Sequence, residues 1–112
     1  MKVKSDSEVV AVEVDMEGAK DVTMQVLIGP DDGSEGIIMR LFKVSPGGHT
    51  PHHHHNYEHL VRILSGRGLA IDAAGGRHEL APGQSVFVEP NEEHQFVNPF
   101  AEPLVLTCTI PG

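Results

Sequence analysis

The chain of 112 residues contains a single cysteine, Cys108. One thiol excludes an internal disulfide and any zinc cluster built from cysteines. Chains without disulfides are typical of the reducing cytosol. The first ten residues, MKVKSDSEVV, also lack the apolar core of a secretory signal peptide. The sequence therefore predicts a cytoplasmic protein.

Basic residues are scarce, and long apolar runs are absent. Lysine and arginine total 8 against 16 aspartates and glutamates, so the formal net charge is -8 with histidine neutral. Nucleic acids and anionic membranes both attract basic patches, so we expect neither as a partner. No stretch approaches the roughly 20 apolar residues that span a bilayer. We also find no nucleotide-binding loop, no Ser/His/Asp series and no paired carboxylates that indicate a catalytic site.

Helical patterns are almost absent as well. Short runs of Val, Ile, Leu and Phe recur instead, and each is closed by a Gly, Pro or Asn turn. This rhythm predicts an all-β sandwich or barrel that forms one domain over residues 1–112. The first run, residues 8–16, has no obvious local partner, so we expect it to pair with a second protomer in a homodimer. The expected strands are residues 8–16, 22–29, 37–44, 59–66, 68–73, 77–81, 85–89, 94–98 and 104–110.

Histidines are the most informative residues that are present. In an extended segment His53 and His55 point to the same side, about 6.6 Å apart along the chain. His59 has the same parity and opens the next apolar run, and His94 opens a later one. Several imidazoles that converge from paired strands form a transition-metal site. We therefore predict one divalent ion inside a β-barrel, bound by His53, His55, His59 and His94.

The histidine run allows simpler interpretations. A purification tag sits at a chain end, whereas this run is internal and flanked by turn and strand patterns. An exposed histidine-rich loop that binds metal loosely is a second alternative. Histidines without any ligand role are a third, and this is the favoured interpretation of His49, His52, His54 and His78.

Two segments of the chain resemble the signature motifs of the cupins, a family of β-barrel proteins. The first motif spans residues 47–66 and places Gly47, His53-x-His55, His59 and Gly66 at the family's spacing. The second spans residues 83–98 and places Gly83, Glu89-Pro90-Asn91, His94 and Asn98 at the family's spacing. The resemblance covers about two-thirds of the chain and implies an antiparallel jelly-roll (cupin) β-barrel.

The chain departs from the cupin motifs at three positions. His59 stands where most cupins have a glutamate ligand, and the carboxylate of Glu58, one position earlier, should point away by parity. Glu89 and Asn91 replace a proline and a glycine, and Asn91 is suited to a left-handed turn conformation. The closest resemblance is to small four-histidine cupins, several of which carry manganese. Imidazole chemistry alone favours iron, nickel, copper or zinc. We rank manganese first and iron second.

Four neutral imidazoles leave the ion its full charge, which makes it a strong Lewis acid. Octahedral geometry would leave two positions for a small-molecule substrate, alone or beside dioxygen. The first functional expectation is therefore a metal-dependent oxidoreductase of dioxygenase character. The alternatives are a non-catalytic module that binds or senses a small ligand, and a Lewis-acid isomerase of a sugar or keto acid.

Five further residues are candidates for the surroundings of the metal. Arg40 either faces solvent or, if it faces inward, favours a carboxylate substrate. Cys108 is either a small buried hydrophobe or a thiol of the pocket. Phe96 shares the parity of His94 and is expected in the apolar wall. Tyr57 and Glu58 are expected to hydrogen-bond to the rings of the metal ligands.

Overall fold

Nine β-strands and two single 3-10 turns make up the secondary structure of this computed structural model, which describes Met1–Gly112. Both turns, Asp6–Glu8 and Pro30–Asp32, are three residues long. No helix is long and apolar enough to cross a membrane. The strands are β1 (Val12–Glu13), β2 (Lys20–Ile28), β3 (Ile37–His49), β4 (His59–Ser65), β5 (Gly68–Ile71), β6 (Arg77–Leu80), β7 (Ser85–Val88), β8 (Gln95–Val97) and β9 (Leu104–Pro111).

All strand pairs are antiparallel, and they join into one curled sheet. The order along the sheet is β6-β5-β8-β3-β9-β4-β7, and β2 pairs with both β1 and β3. Strand β3 is long enough to take part in both halves of the curl. Its first part pairs with β9, and its last residue, His49, pairs with Val97 of β8. The curled sheet has the form of an antiparallel jelly-roll β-barrel, which confirms the expected all-β class.

Alternation along each strand decides which side chains fill the barrel. In β4 the side chains of His59, Val61 and Ile63 are buried, whereas the intervening residues are exposed. This is the period of two that a half-buried strand requires. The interior is filled by an apolar cluster from both halves of the sheet: Val22, Val44, Val61, Ile63, Leu80, Val88, Phe96, Leu104, Leu106 and Cys108.

Strand β3 is longer than the sequence predicts. The expected strand ended at Val44 because Pro46 and two glycines follow it, yet the ladder continues to His49. Gly47 has a positive φ of 80°, which lets the chain turn sharply without leaving the sheet. Its N–H donates to the Asn98 carbonyl at 2.8 Å. The extension matters because it carries the chain directly to the histidine segment.

The N-terminal segment also differs from the expected strand over residues 8–16. Only Val12 and Glu13 pair with a neighbouring strand, and that strand is β2 of the same chain. Nearby, the Gln25 amide donates to the carbonyls of Asp6 and Val9 at 2.9 and 2.8 Å. Side-chain hydrogen bonds therefore replace a backbone ladder. Val12 and Glu13 thus have a partner within the chain, and the expected pairing of this segment with a second protomer stays a prediction.

An exposed apolar row crosses the outer face of the sheet. Met39, Leu60 and Phe87 lie in one register line through Thr109, and all three are exposed. Apolar rows of this kind are typical of contact surfaces. The expected homodimer stays a prediction.

The glycine that closes the first signature segment generates a stability prediction. Gly66 has a φ of 79°, and a Cβ there would clash with the Pro103 carbonyl. Gly75 has a φ of 82° but nothing lies within 4 Å of its Cβ position. Gly75→Ala should therefore cost only the left-handed penalty of about 1–2 kcal/mol. Gly66→Ala should cost clearly more, measured as the free energy of unfolding in urea. Equal losses would contradict the close approach at Gly66.

Candidate functional site

Four histidine rings form a closed group at one end of the barrel interior. The ring centroids of His53 and His55 lie 4.5 Å apart, and those of His55 and His59 lie 5.2 Å apart. The circuit closes through His94, whose centroid lies 5.1 Å from that of His59 and 5.2 Å from that of His53. The fold thus brings together all four of the predicted metal ligands.

Separate parts of the chain deliver these rings. His59 is the first residue of β4, and His94 immediately precedes β8. His53 and His55 lie between β3 and β4, outside the named strands. Instead, His53 and His94 form one isolated antiparallel bridge. The N–H of His94 donates to the His53 carbonyl at 2.9 Å, and the N–H of His53 donates back at 3.2 Å.

In two of the rings a nitrogen atom is left free to bind a ligand. Nδ1 of His94 donates to the backbone carbonyl of Glu92 at 2.8 Å, which leaves Nε2 with its lone pair for a ligand. Nδ1 of His59 is buried and has no hydrogen-bond partner. A buried polar atom without a partner is costly, and a metal ion or a bound molecule would satisfy it.

The distances between the rings are compatible with the binding of one metal ion by all four. A ring nitrogen about 2.1 Å from a metal puts the centroid about 3.3 Å away, so two rings around one ion have centroids about 4.6–5.3 Å apart. The neighbouring centroids in this group are 4.5–5.2 Å apart. No group of three or more side chains has its donors placed to hold an ion as it stands. The fold provides the proximity of the rings rather than a formed coordination shell.

Burial favours the neutral form of His53, His55 and His59. Removal from water, followed by the repulsion of neighbouring rings, lowers the pKa of both His53 and His59 to about 4. Burial also lowers the pKa of His55, with His94 and then Arg40 as weaker causes. Neutral imidazole is the form that binds a metal ion.

The rings line a cavity of about 410 Å³. Its walls include apolar side chains from β2, β3, β8 and β9, and the N-terminal residues Val12–Met16 form part of its rim. Arg40, Phe96, Cys108 and Tyr57 also line it. A pocket of this size with a few convergent polar groups is the usual form of a small-molecule site.

The predicted surrounding residues fall into two groups. Arg40 faces the cavity, and its guanidinium Nη2 donates to Sγ of Cys108 at 3.2 Å. Phe96 is buried against His94, with centroids 6.1 Å apart. Tyr57 stacks on His55 with centroids 5.0 Å apart and an interplanar angle of 10°. Glu58 is exposed and lies outside the cavity lining, so the fold does not bring it to the site.

The remaining histidines lie away from this cavity. His52 and His54 are exposed, and neither they nor His49 line it. His78 is exposed and pairs with Asp72, with Nε2 and Oδ2 2.8 Å apart. The side chain of Asp72 accepts hydrogen bonds from the backbone N–H of Ala74 and Gly76, so this pair orders the β5–β6 turn.

Sequence reasoning missed several residues of the site. Thr50 lines the cavity, and its hydroxyl accepts the N–H of Phe96 at 2.9 Å. Met24 and Val22 line the cavity because they pair with Phe42 and Val44 across β2 and β3. The alternation of side chains along β2 indicates that Val22 and Met24 share one face of the strand. The register between two distant strands is not readable from either strand alone.

A family model described as the Cupin domain matches residues 40–110. This chain belongs to the cupin family. The match covers both signature segments and therefore confirms the resemblance that the sequence indicated. The four-histidine manganese subtype stays a prediction.

Three known proteins illustrate how varied the similar cupins are. The chain is 36% identical over 91 residues to the 1-methylthio-D-xylulose 5-phosphate methylsulfurylase of Rhodospirillum rubrum. The aligned region covers 81% of this chain and 56% of that relative. The solved polyketide cyclase RemF of Streptomyces resistomycificus is 32% identical with a TM-score of 0.94, over 99% of this chain and 79% of the cyclase. A predicted oxalate decarboxylase of Thermotoga maritima, at 24% identity and a TM-score of 0.86 over 98% of both chains, shows the fold alone.

The lowered pKa values generate a prediction for the metal-free chain. As the pH falls below about 6.5, unfolded histidines take up protons. Folded His53 and His59 resist protonation until the pH nears about 4. The stability from these neutral rings is therefore complete above about pH 6.5 and falls as the pH drops towards 4. Unfolding in urea at a series of pH values measures this loss.

A double variant separates the site from the carboxylates that also titrate in acid. We expect His53→Gln/His59→Gln to lose less stability on acidification than the original chain does. His54→Gln, a change at an exposed neighbouring histidine, is the control and should leave the acid response unchanged. Identical acid responses in all three proteins would contradict the pKa shifts.

Proposed function

We propose that this cupin binds one divalent metal ion through His53, His55, His59 and His94 and catalyses a redox-neutral ring closure in a small, carbonyl-rich organic molecule. The observation that carries the proposal is the closed group of four imidazoles at the wall of an apolar cavity. The overall similarity to a polyketide cyclase over nearly the whole chain supports the choice of reaction.

The residues fit such an ion, with manganese ranked first and iron second. When bound, the ion would act as a Lewis acid that polarises a substrate carbonyl. The four neutral rings bring no compensating negative charge. Tyr57 holds the plane of His55 by stacking, and the Glu92 carbonyl holds the tautomer of His94.

In such a ring closure a C–H bond beside one carbonyl breaks, a C–C bond to a second carbonyl carbon forms, and the proton passes to the oxygen of that second carbonyl. The chain's own side chains would bind and fold the substrate for this step. Met24, Phe42 and Leu106 line the cavity with apolar surface, which folds a flexible substrate and excludes bulk water. Arg40 places a positive charge in the same cavity, where it would orient a substrate by pairing with a negatively charged group.

Other functions would use the same cavity. The dioxygenase-type oxidation predicted from the sequence needs the same four histidines and a redox-active ion. Isomerisation of a sugar or keto acid needs the Lewis acid alone, and a ligand-binding module needs neither reaction. The chain spans 56% of the length of the methylsulfurylase that it resembles, so that activity stands only as a further alternative.

Metal binding tests the first part of the proposal. We expect the chain purified without added metal to contain close to one divalent ion, measured by inductively coupled plasma mass spectrometry. His59→Gln and His94→Gln should each lower the affinity by more than about 100-fold, since loss of mere supporting groups costs about 10–100-fold. His54→Gln, at an exposed histidine of the same segment, is the control. Full metal content in His59→Gln would contradict the assignment of His59 as a metal ligand.

Product analysis tests the reaction. We expect a synthetic linear triketide thioester to be converted to a cyclic product without oxygen uptake, and redox-inert zinc to support turnover as manganese does. His94→Gln should abolish turnover, and His54→Gln should not. Oxygen consumption that needs iron or manganese would favour the dioxygenase instead. Tight binding without any turnover would favour the ligand-binding module.

A further inference from the structure

Arg40 is the one lysine or arginine in the cavity lining. It lies on β3 opposite Cys108 of β9 and is half-buried. Its guanidinium stacks 4.9 Å from the ring centroid of Phe42, which fixes the planar group against the cavity wall. An arginine held this way is pre-organised, because less side-chain freedom is lost when it binds a ligand.

No acidic side chain neutralises this arginine. None of the four ion pairs of the chain includes Arg40, although acidic residues outnumber basic ones by 16 to 8. The two carboxylates of the cavity lining, Glu13 and Asp15, are exposed and lie beyond ion-pair distance of it. A charge taken partly out of water without a partner is costly.

The neighbours of Arg40 also leave its hydrogen-bonding capacity unused. Nε is buried and has no partner, and Nη2 donates only to the sulfur of Cys108. Burial raises the pKa of the Cys108 thiol, so the thiol brings no compensating charge. The two buried side-chain atoms without partners, Arg40 Nε and His59 Nδ1, belong to residues of the same cavity.

We propose that Arg40 forms an anion subsite of the cavity and that the carbonyl-rich substrate carries a carboxylate beside an apolar part. The planar guanidinium fork matches a carboxylate in two parallel hydrogen bonds, which a lysine or a neutral donor does not reproduce. The apolar walls formed by Met24, Phe42 and Leu106 receive the rest of the molecule. This inference rests on the proposed use of the cavity as a substrate site, and it favours carboxylic acids over neutral molecules as substrates.

Cinnamate and its neutral isostere cinnamamide test the subsite in the metal-free chain. Removal of the metal matters because a carboxylate could otherwise bind the ion instead of Arg40. At a pH two or more units above the ordinary histidine pKa of about 6.5, an imidazole is neutral and does not attract the acid. We expect calorimetric titration to show that cinnamate binds at least about tenfold more tightly than cinnamamide.

Arginine variants assign the preference to one residue. Arg40→Met keeps the apolar stem and removes the charge, so it should bind both compounds equally. Arg40→Lys should retain only part of the preference because the fork is lost. Arg62→Met is the matched control, since Arg62 is exposed on β4 and donates to Ser85 outside the cavity. It should preserve the full preference.

Several results would overturn the subsite. These are equal affinities in the original chain, no measurable binding of cinnamate at millimolar concentration, or a preference that survives in Arg40→Met. Such a result together with normal ring closure would leave the proposed reaction intact. Preserved acid preference in a chain that closes no ring would instead refute the reaction and retain the subsite.

Discussion

The pair of backbone hydrogen bonds between His53 and His94 is the constraint on which the site depends. These two residues lie 41 positions apart in the sequence, and the bridge holds their backbones together without any metal. Because a bridge sets Cα positions to within an ångström or so, the two rings approach before any ligand arrives. His59 is added at the start of β4, so the site becomes a property of the barrel rather than of the histidine run.

The strand that makes this possible is β3. It takes part in both halves of the curled sheet, with β9 along most of its length and β8 at His49. Its inward positions place Arg40 and Phe42 on the cavity wall, and its end delivers the chain to the histidines. One long strand thus positions both the cation and the imidazoles, which explains why charge and metal chemistry meet in one cavity.

The wall of the cavity formed by β3 carries a positive charge at Arg40, although the chain as a whole is acidic. The protein carries an excess of acidic residues, yet burial favours the neutral form of His53, His55 and His59, and the one cation of the cavity lining is unpaired. Neutral donors favour a metal ion, and an unpaired guanidinium favours an anion. Both preferences exist because water is largely replaced by apolar side chains, which makes uncompensated polar atoms costly until a ligand binds them.

Alternation and motif spacing are local properties of the chain, so the all-β class, the cupin motifs and the four candidate metal ligands could be read from the sequence. It also placed Asn91 in a left-handed turn, confirmed by its φ of 65°. The inward position of Arg40 and the place of Met24 in the cavity lining emerge from the fold. Those outcomes depend on the register between distant strands and on where a strand stops. The expected end of β3 at Val44 was wrong because a hydrogen bond from Gly47 to Asn98 continues the sheet past the proline and glycines.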